Sequence, residues 1–208
     1  MSILKRIKDN ELQSKILQVK NLALFKIENN PELKKILDDI KTTDNALYSH
    51  STAVADISCL IGILYNLRLD ELLSLYLGCI FHDNGKTLLN QDILYKPTSF
   101  SSDERQLVEA HTTLGYKRIK KITADPIILD AIEKHHERIN GLGYPNGLAE
   151  HEQSIFVKII AVADVFDALI SKRCYKEAIT EEKAFEIISE DNGLDQIVVM
   201  MLKSLVCS

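Results

Sequence analysis

Cysteine is scarce: Cys59, Cys79, Cys174 and Cys207 form no CxxC pair, which leaves no frame for a structural zinc site built on thiolates. Three of the four lie in apolar helical runs, where a reduced cysteine behaves as a small hydrophobe. No block of basic residues offsets an acidic balance, with net charge −5 and pI about 5.7. That argues against a binder of polymeric nucleic acid or of a membrane surface, and an anionic substrate would need local cations. No window of about 20 residues lacks charge as a membrane span requires. The opening stretch Met1–Asp9 is charged too early and too often for a signal peptide, so a cytoplasmic location is expected. Repeats, low-complexity tracts and convincing strands are also missing. With 208 residues, 46% apolar and 26% charged, the expectation is a single all-α domain with a substantial core.

The chemistry begins at Phe81-His82-Asp83-Asn84-Gly85-Lys86, which follows a segment, residues 71–80, apolar on every side. A carboxylate at the end of a buried helix needs a cation or several donors, and the adjacent His82 suggests a metal ion. Taken alone, the pair could also close a helix that simply surfaces there.

Periodicity places the other candidates on helices. Residues 3–40 form an amphipathic lead-in, with Asn30-Pro31-Glu32 as a helix start. The next helix carries His50, Val54, Ile57, Ile61 and Leu64, so His50 lies in line with a buried stripe. A helix starting at Ser101 is expected to reach His111, another runs from Thr112 to Lys121, and one from Asp125-Pro126 ends in His135 and His136. Gly141-Leu142-Gly143-Tyr144-Pro145-Asn146-Gly147 is a tight loop that presents an aromatic ring. Within the apolar run 155–170, Asp164 and Asp167 are three apart and share a face. Helices starting at Thr180 and Asp195, separated by a break at Asn192-Gly193, complete the chain. His151, in a polar turn, is expected to be exposed.

Five of the six histidines, with Asp83 and Asp164, thus fall on faces or ends of core helices. Mixed imidazole and carboxylate sets suit Fe, Mn, Ni or Zn better than Mg or Ca. Seven such groups exceed the needs of one ion. A two-metal site bridged by Asp83 is the economical reading, because a carboxylate has two oxygens to share.

His82-Asp83-Asn84-Gly85-Lys86, followed by His135-His136-Glu137-Arg138-Ile139-Asn140-Gly141-Leu142-Gly143-Tyr144-Pro145, resembles the HD-GYP subfamily of HD phosphohydrolases, bacterial phosphodiesterases of cyclic di-GMP. The similarity includes Lys96-Pro97, the segment 161–169 and Arg173-Cys174-Tyr175-Lys176. It implies an HD-domain helical bundle over residues 44–208 behind a helical lead-in, 1–43. It also implies two divalent transition metals, iron or manganese first: His50, His82, Asp83 and Asp164 would hold one, and Asp83, His111, His135 and His136 the other. Lys86, Arg173 and Lys176 match phosphate contacts, and Gly143 and Tyr144 match pocket walls; Asp83 and Lys86 carry the catalytic roles. The implied reaction is hydrolysis of cyclic di-GMP to pGpG or GMP by a hydroxide bridging the metals. Departures from the pattern are Ala46, where a third-metal Glu can stand, and Ala53, Asn84 and Cys174; none is a ligand. The lead-in is too short for an upstream sensory module, so regulation through a partner such as a GGDEF protein, a homodimer or expression level is expected. Alternatives are hydrolysis of a cyclic GMP-AMP dinucleotide or nucleoside polyphosphate, and a non-hydrolytic dinucleotide sensor or scaffold.

Overall fold

A computed structural model describes residues 9–171 and 178–206. Arg173, Cys174, Lys176 and Cys207 lie outside them.

Asp9 caps helix α1 (Asn10–Glu28), accepting from the amides of Glu11 and Leu12. The helix buries Ile16, Val19, Ala23 and Ile27. Burial of the three larger side chains is worth about 1.5–3 kcal/mol each, so the lead-in is part of the core rather than an appendage to it. Asn30 caps α2 (Pro31–Thr43) through the amides of Glu32 and Leu33, with proline in the first turn, where its missing N–H costs nothing.

Two apolar helices, α3 (Asn45–Leu64) and α4 (Leu69–Phe81), form the centre; α3 also packs on α9 (Ile155–Ile170), and α4 on α1 and on α8 (Pro126–Lys134). Among the described residues α3 alone has the length and apolarity of a membrane span, yet 67% of its apolar window is buried inside the protein. It is the core helix, and it brings His50 and Asp56 inside. After α4 the chain makes a 3-10 turn, Asn84–Leu88, and a short helix α5 (Gln91–Leu94).

The helix expected to run from Ser101 to His111 is two helices. Exposed α6 (Ser102–Glu109), with no buried residue, ends at Ala110, and His111 opens the half-buried α7 (His111–Ile119). The break lets the chain turn inward just where the imidazole is needed. Helices α10 (Glu181–Glu190) and α11 (Gln196–Val206) pack on each other and on α9. No strand forms among the described residues; Asn140 and Ala149 make one isolated antiparallel bridge across the glycine-rich loop.

Candidate metal centre

Three helix ends and two helix faces meet at Asp83. His82 and Asp83 follow α4, His135 and His136 follow α8, His111 starts α7, and His50 and Asp164 come from the faces of α3 and α9. All are buried except His136, which is partly covered. Gly85 makes the approach of α7 achievable, since a Cβ there would stand 1.9 Å from the His111 carbonyl oxygen and 2.8 Å from the Gly115 nitrogen.

The tautomers are set by backbone. His82, His111 and His135 each donate from Nδ1 to a carbonyl three residues earlier, Cys79 at 2.7 Å, Val108 at 2.6 Å and Ile132 at 3.0 Å. These carbonyls belong to the last turns of α4, α6 and α8, where regular helical hydrogen bonding runs out and a side chain can reach an oxygen that has two lone pairs; the Cys79 carbonyl also takes the His82 amide at 3.5 Å, and the Val108 carbonyl the Ala110 amide. A neutral ring bonded in this way presents a bare lone pair on Nε2. The lone pairs converge: His111 Nε2 is 3.2 Å and His135 Nε2 3.7 Å from Asp83 Oδ1, and His82 Nε2 is 3.4 Å from Asp83 Oδ2. His111 and His135 also face each other, Nε2 to Nε2, at 3.3 Å. Among the described residues, neither His82 Nε2 nor Asp83 Oδ1 has a hydrogen-bond partner. Buried lone pairs facing one another are unfavourable unless a cation stands among them, so the residues fit a metal.

Ligand atoms within 4.8 Å of one another fall into two groups, Asp83 with His111, His135 and His136, and Asp83 with His50 and His82. Asp83 is common to both. Asp164 stands at the edge of the second group, its Oδ1 3.0 Å from His50 Nε2 and 3.9 Å from His82 Nε2. His50 is held on its other side by Asp167, Nδ1 to Oδ2 2.6 Å.

Charge is divided unevenly across the cluster. Burial opposes ionisation of Asp83, but the Lys86 ammonium beside it holds its carboxyl well below the usual range. Against the same burial, His50, then His136 and His82, do this for Asp164. Burial pushes His135 down to about 4 and His136 well below an ordinary imidazole. Burial would also lower His50, yet Asp164 and Asp167 raise it to about 9. The His135 side therefore offers neutral rings at neutral pH, whereas His50 must release a proton to become a ligand.

Lys86 Nζ lies 2.6 Å from Asp83 Oδ2. The Tyr144 ring is tilted against His136, centroids 4.7 Å apart, and edge-on to His111 at 6.5 Å. Gly143 has a packing role as well, because a Cβ there would come within 2.4 Å of the Arg138 nitrogen. His151 is exposed, as expected.

Glu137, quoted in the motif but given no role from sequence, is fully buried. Its carboxylate accepts from the amides of Asn146 at 2.7 Å and Leu148 at 2.9 Å, while Tyr144 N donates to His136 O at 3.2 Å. The tyrosine loop is thereby fastened to the ligand segment. An acid directly after two core-facing histidines was the available signal.

The family model for the HD domain matches residues 34–197. The chain belongs to the HD-domain family. A cyclic di-GMP phosphodiesterase of Pseudomonas aeruginosa is 35% identical over 159 residues, 74% of this chain and 37% of that protein. A 3′3′-cGAMP-specific phosphodiesterase of Vibrio cholerae is 32% identical over 142 residues, 68% of this chain and 31% of that protein. The HD-domain chain thus spans about a third of the length of these curated relatives. In fold it resembles an HDG"Y"P protein of Bdellovibrio bacteriovorus, with TM-score 0.64 at 20% identity over 97% of this chain and 74% of that one.

Proposed function

We propose that the chain is a metal-dependent phosphodiesterase of the HD-GYP type, acting on cyclic di-GMP. The observation that carries this reading is the convergence of imidazole lone pairs on an unpartnered, buried carboxylate oxygen. A scaffold has no need of that arrangement. Two divalent cations, iron or manganese first, would supply Lewis acidity toward a water and a phosphate oxygen.

The chain's own residues do the rest. Asp83, common to both ligand groups, fixes the spacing between the two positions. Lys86, a cation beside that carboxylate, turns to the phosphate oxygens and stabilises charge that grows there during attack. Arg173 and Lys176 are assigned to the substrate phosphate by the resemblance of their segment. Tyr144, held beside His136 by the Glu137-fastened loop, forms a wall against which a guanine can stack.

Anaerobically purified protein should carry about two transition-metal equivalents and turn over cyclic di-GMP. The Vibrio relative's name makes 3′3′-cGAMP the competing substrate, so both dinucleotides belong in the assay. Preference for 3′3′-cGAMP would reassign the substrate within the same chemistry. Binding without turnover in metal-replete protein would favour a sensor or scaffold.

A further inference from the structure

His50 differs from the other buried histidines of the centre. His82, His111 and His135 each sit beside a helix end and give their Nδ1 proton to a carbonyl of a helix's last turn. His50 lies within α3, where carbonyls are taken by the helix itself, so its Nδ1 needs a side chain. Asp167 supplies it, one turn beyond Asp164 on the same face of α9, at 2.6 Å and almost fully buried. Ser171 Oγ donates to the other Asp167 oxygen at 3.0 Å and fixes the carboxylate. On the opposite edge of the ring, Asp164 Oδ1 is 3.0 Å from Nε2. The two acids compete for the one proton of the neutral imidazole. If Asp164 held it, Nε2 would be a donor and unavailable to a metal.

We propose that Asp167 is a positioning residue of the metal centre, which keeps the His50 proton on Nδ1 and so creates the ligand at the His50–His82 position. The inference rests on the two-metal reading above. Outer partners of metal-bound histidine typically change metal affinity by about 10–100-fold, and here the effect should fall on one position of two.

The test is Mn2+ titration of the full chain, followed by electron paramagnetic resonance, for wild type, Asp167→Asn and Asp167→Ala, with melting of each chelated protein. Wild type should bind two equivalents. In Asp167→Ala one equivalent should weaken about 10–100-fold while the other changes less than about threefold. Asp167→Asn, which keeps an acceptor oxygen without the charge, should fall between. Two equivalents bound as in wild type by both variants would overturn the proposal. So would equal weakening of both equivalents in step with a lowered melting temperature, because Asp167 would then serve only the packing of α9 on α3. A wild type that never holds two equivalents would sink the two-metal reading and this inference together, and that result is visible before any variant is made.

Discussion

Two of the buried carboxylates, Asp56 and Asp83, are finished in opposite ways. Asp56, on α3, accepts from the Tyr76 hydroxyl at 2.8 Å and from Lys20 Nζ at 3.1 and 3.3 Å. Both of its oxygens are satisfied by the protein. Asp83 has Lys86 on one oxygen, while the other has no hydrogen-bond partner among the described residues and faces imidazole lone pairs. Removing a carboxylate from water is costly unless donors or cations meet it. Asp56 is therefore a closed structural joint between α1, α3 and α4, and Asp83 is a socket.

Exchanging each acid for alanine is the strongest way to break that contrast. Asp83→Ala should abolish phosphodiester turnover and lower occupancy at both metal positions together; loss of one metal with full retention of the other would contradict the shared role. Asp56→Ala should keep metal content and turnover but cost about 1–3 kcal/mol of stability, since Tyr76 loses its partner in the interior and Lys20, partly exposed, loses less. Metal analysis beside chemical denaturation separates the two outcomes.

The lysines sharpen the contrast at the next level. Lys86→Ala should retain metals and melting behaviour while kcat falls by about two orders of magnitude, the usual effect of losing one donor to a transition state. Lys20→Ala should leave kcat unchanged and cost at most about 1 kcal/mol of stability, as for a partly exposed pair. An unchanged kcat in Lys86→Ala with intact metals would remove Lys86 from the chemistry.

A third distinction appears when metal is stripped with a chelator. The His50 pKa is raised to about 9, so its contribution is complete below the unfolded imidazole value of about 6.5 and is lost as pH rises through 9. His135 is lowered to about 4, and His136 also titrates low. Their contribution is complete above about 6.5 and fades as pH falls toward 4. Stability of the metal-free protein should peak near pH 6.5 and fall by up to about 1.4 kcal/mol per pH unit for each titrating group. Urea midpoints between pH 4.5 and 9 would show this, and a flat profile would mean that these rings do not keep their positions without metal. The fully bonded Asp56 joint supplies no imidazole to such a profile.

The socket was largely legible in the sequence and the joint was not. Histidines that continue apolar stripes, or follow apolar helices directly, are unusual enough to stand out singly, and every described candidate ligand does lie around Asp83. Asp56 gave no such signal, because one acid in an apolar helix is explained only by partners 20 and 36 positions away. The division between α6 and α7 escaped for the same reason: no glycine or proline marks Ala110, and the break answers to the burial of His111 rather than to local propensity. Gly85 was part of the motif, but its purpose is a contact with α7 that no spacing along the chain reveals.

The two tyrosines offer the smallest and most specific comparison. Tyr76 is buried and spends its hydroxyl on Asp56. Tyr144 lies against His136, and its hydroxyl makes no hydrogen bond among the described residues. The Tyr144 ring lies against imidazole, while its loop is held by Glu137 and by the close backbone contact at Gly143. The tyrosine ring is thus not needed to fasten its own loop, which leaves one face and the hydroxyl for a ligand. If a guanine stacks there, loss of the ring should weaken binding by about 1–3 kcal/mol. Tyr144→Ala should reduce cyclic di-GMP turnover by about tenfold or more while hydrolysis of bis-p-nitrophenyl phosphate, which has no base to stack, stays nearly intact. Tyr76→Phe should lower stability by about 1 kcal/mol and leave both activities unchanged. Equal loss of both activities in Tyr144→Ala, with a lower melting temperature, would make Tyr144 a structural residue like Tyr76, and loss of neither would take the loop out of the site.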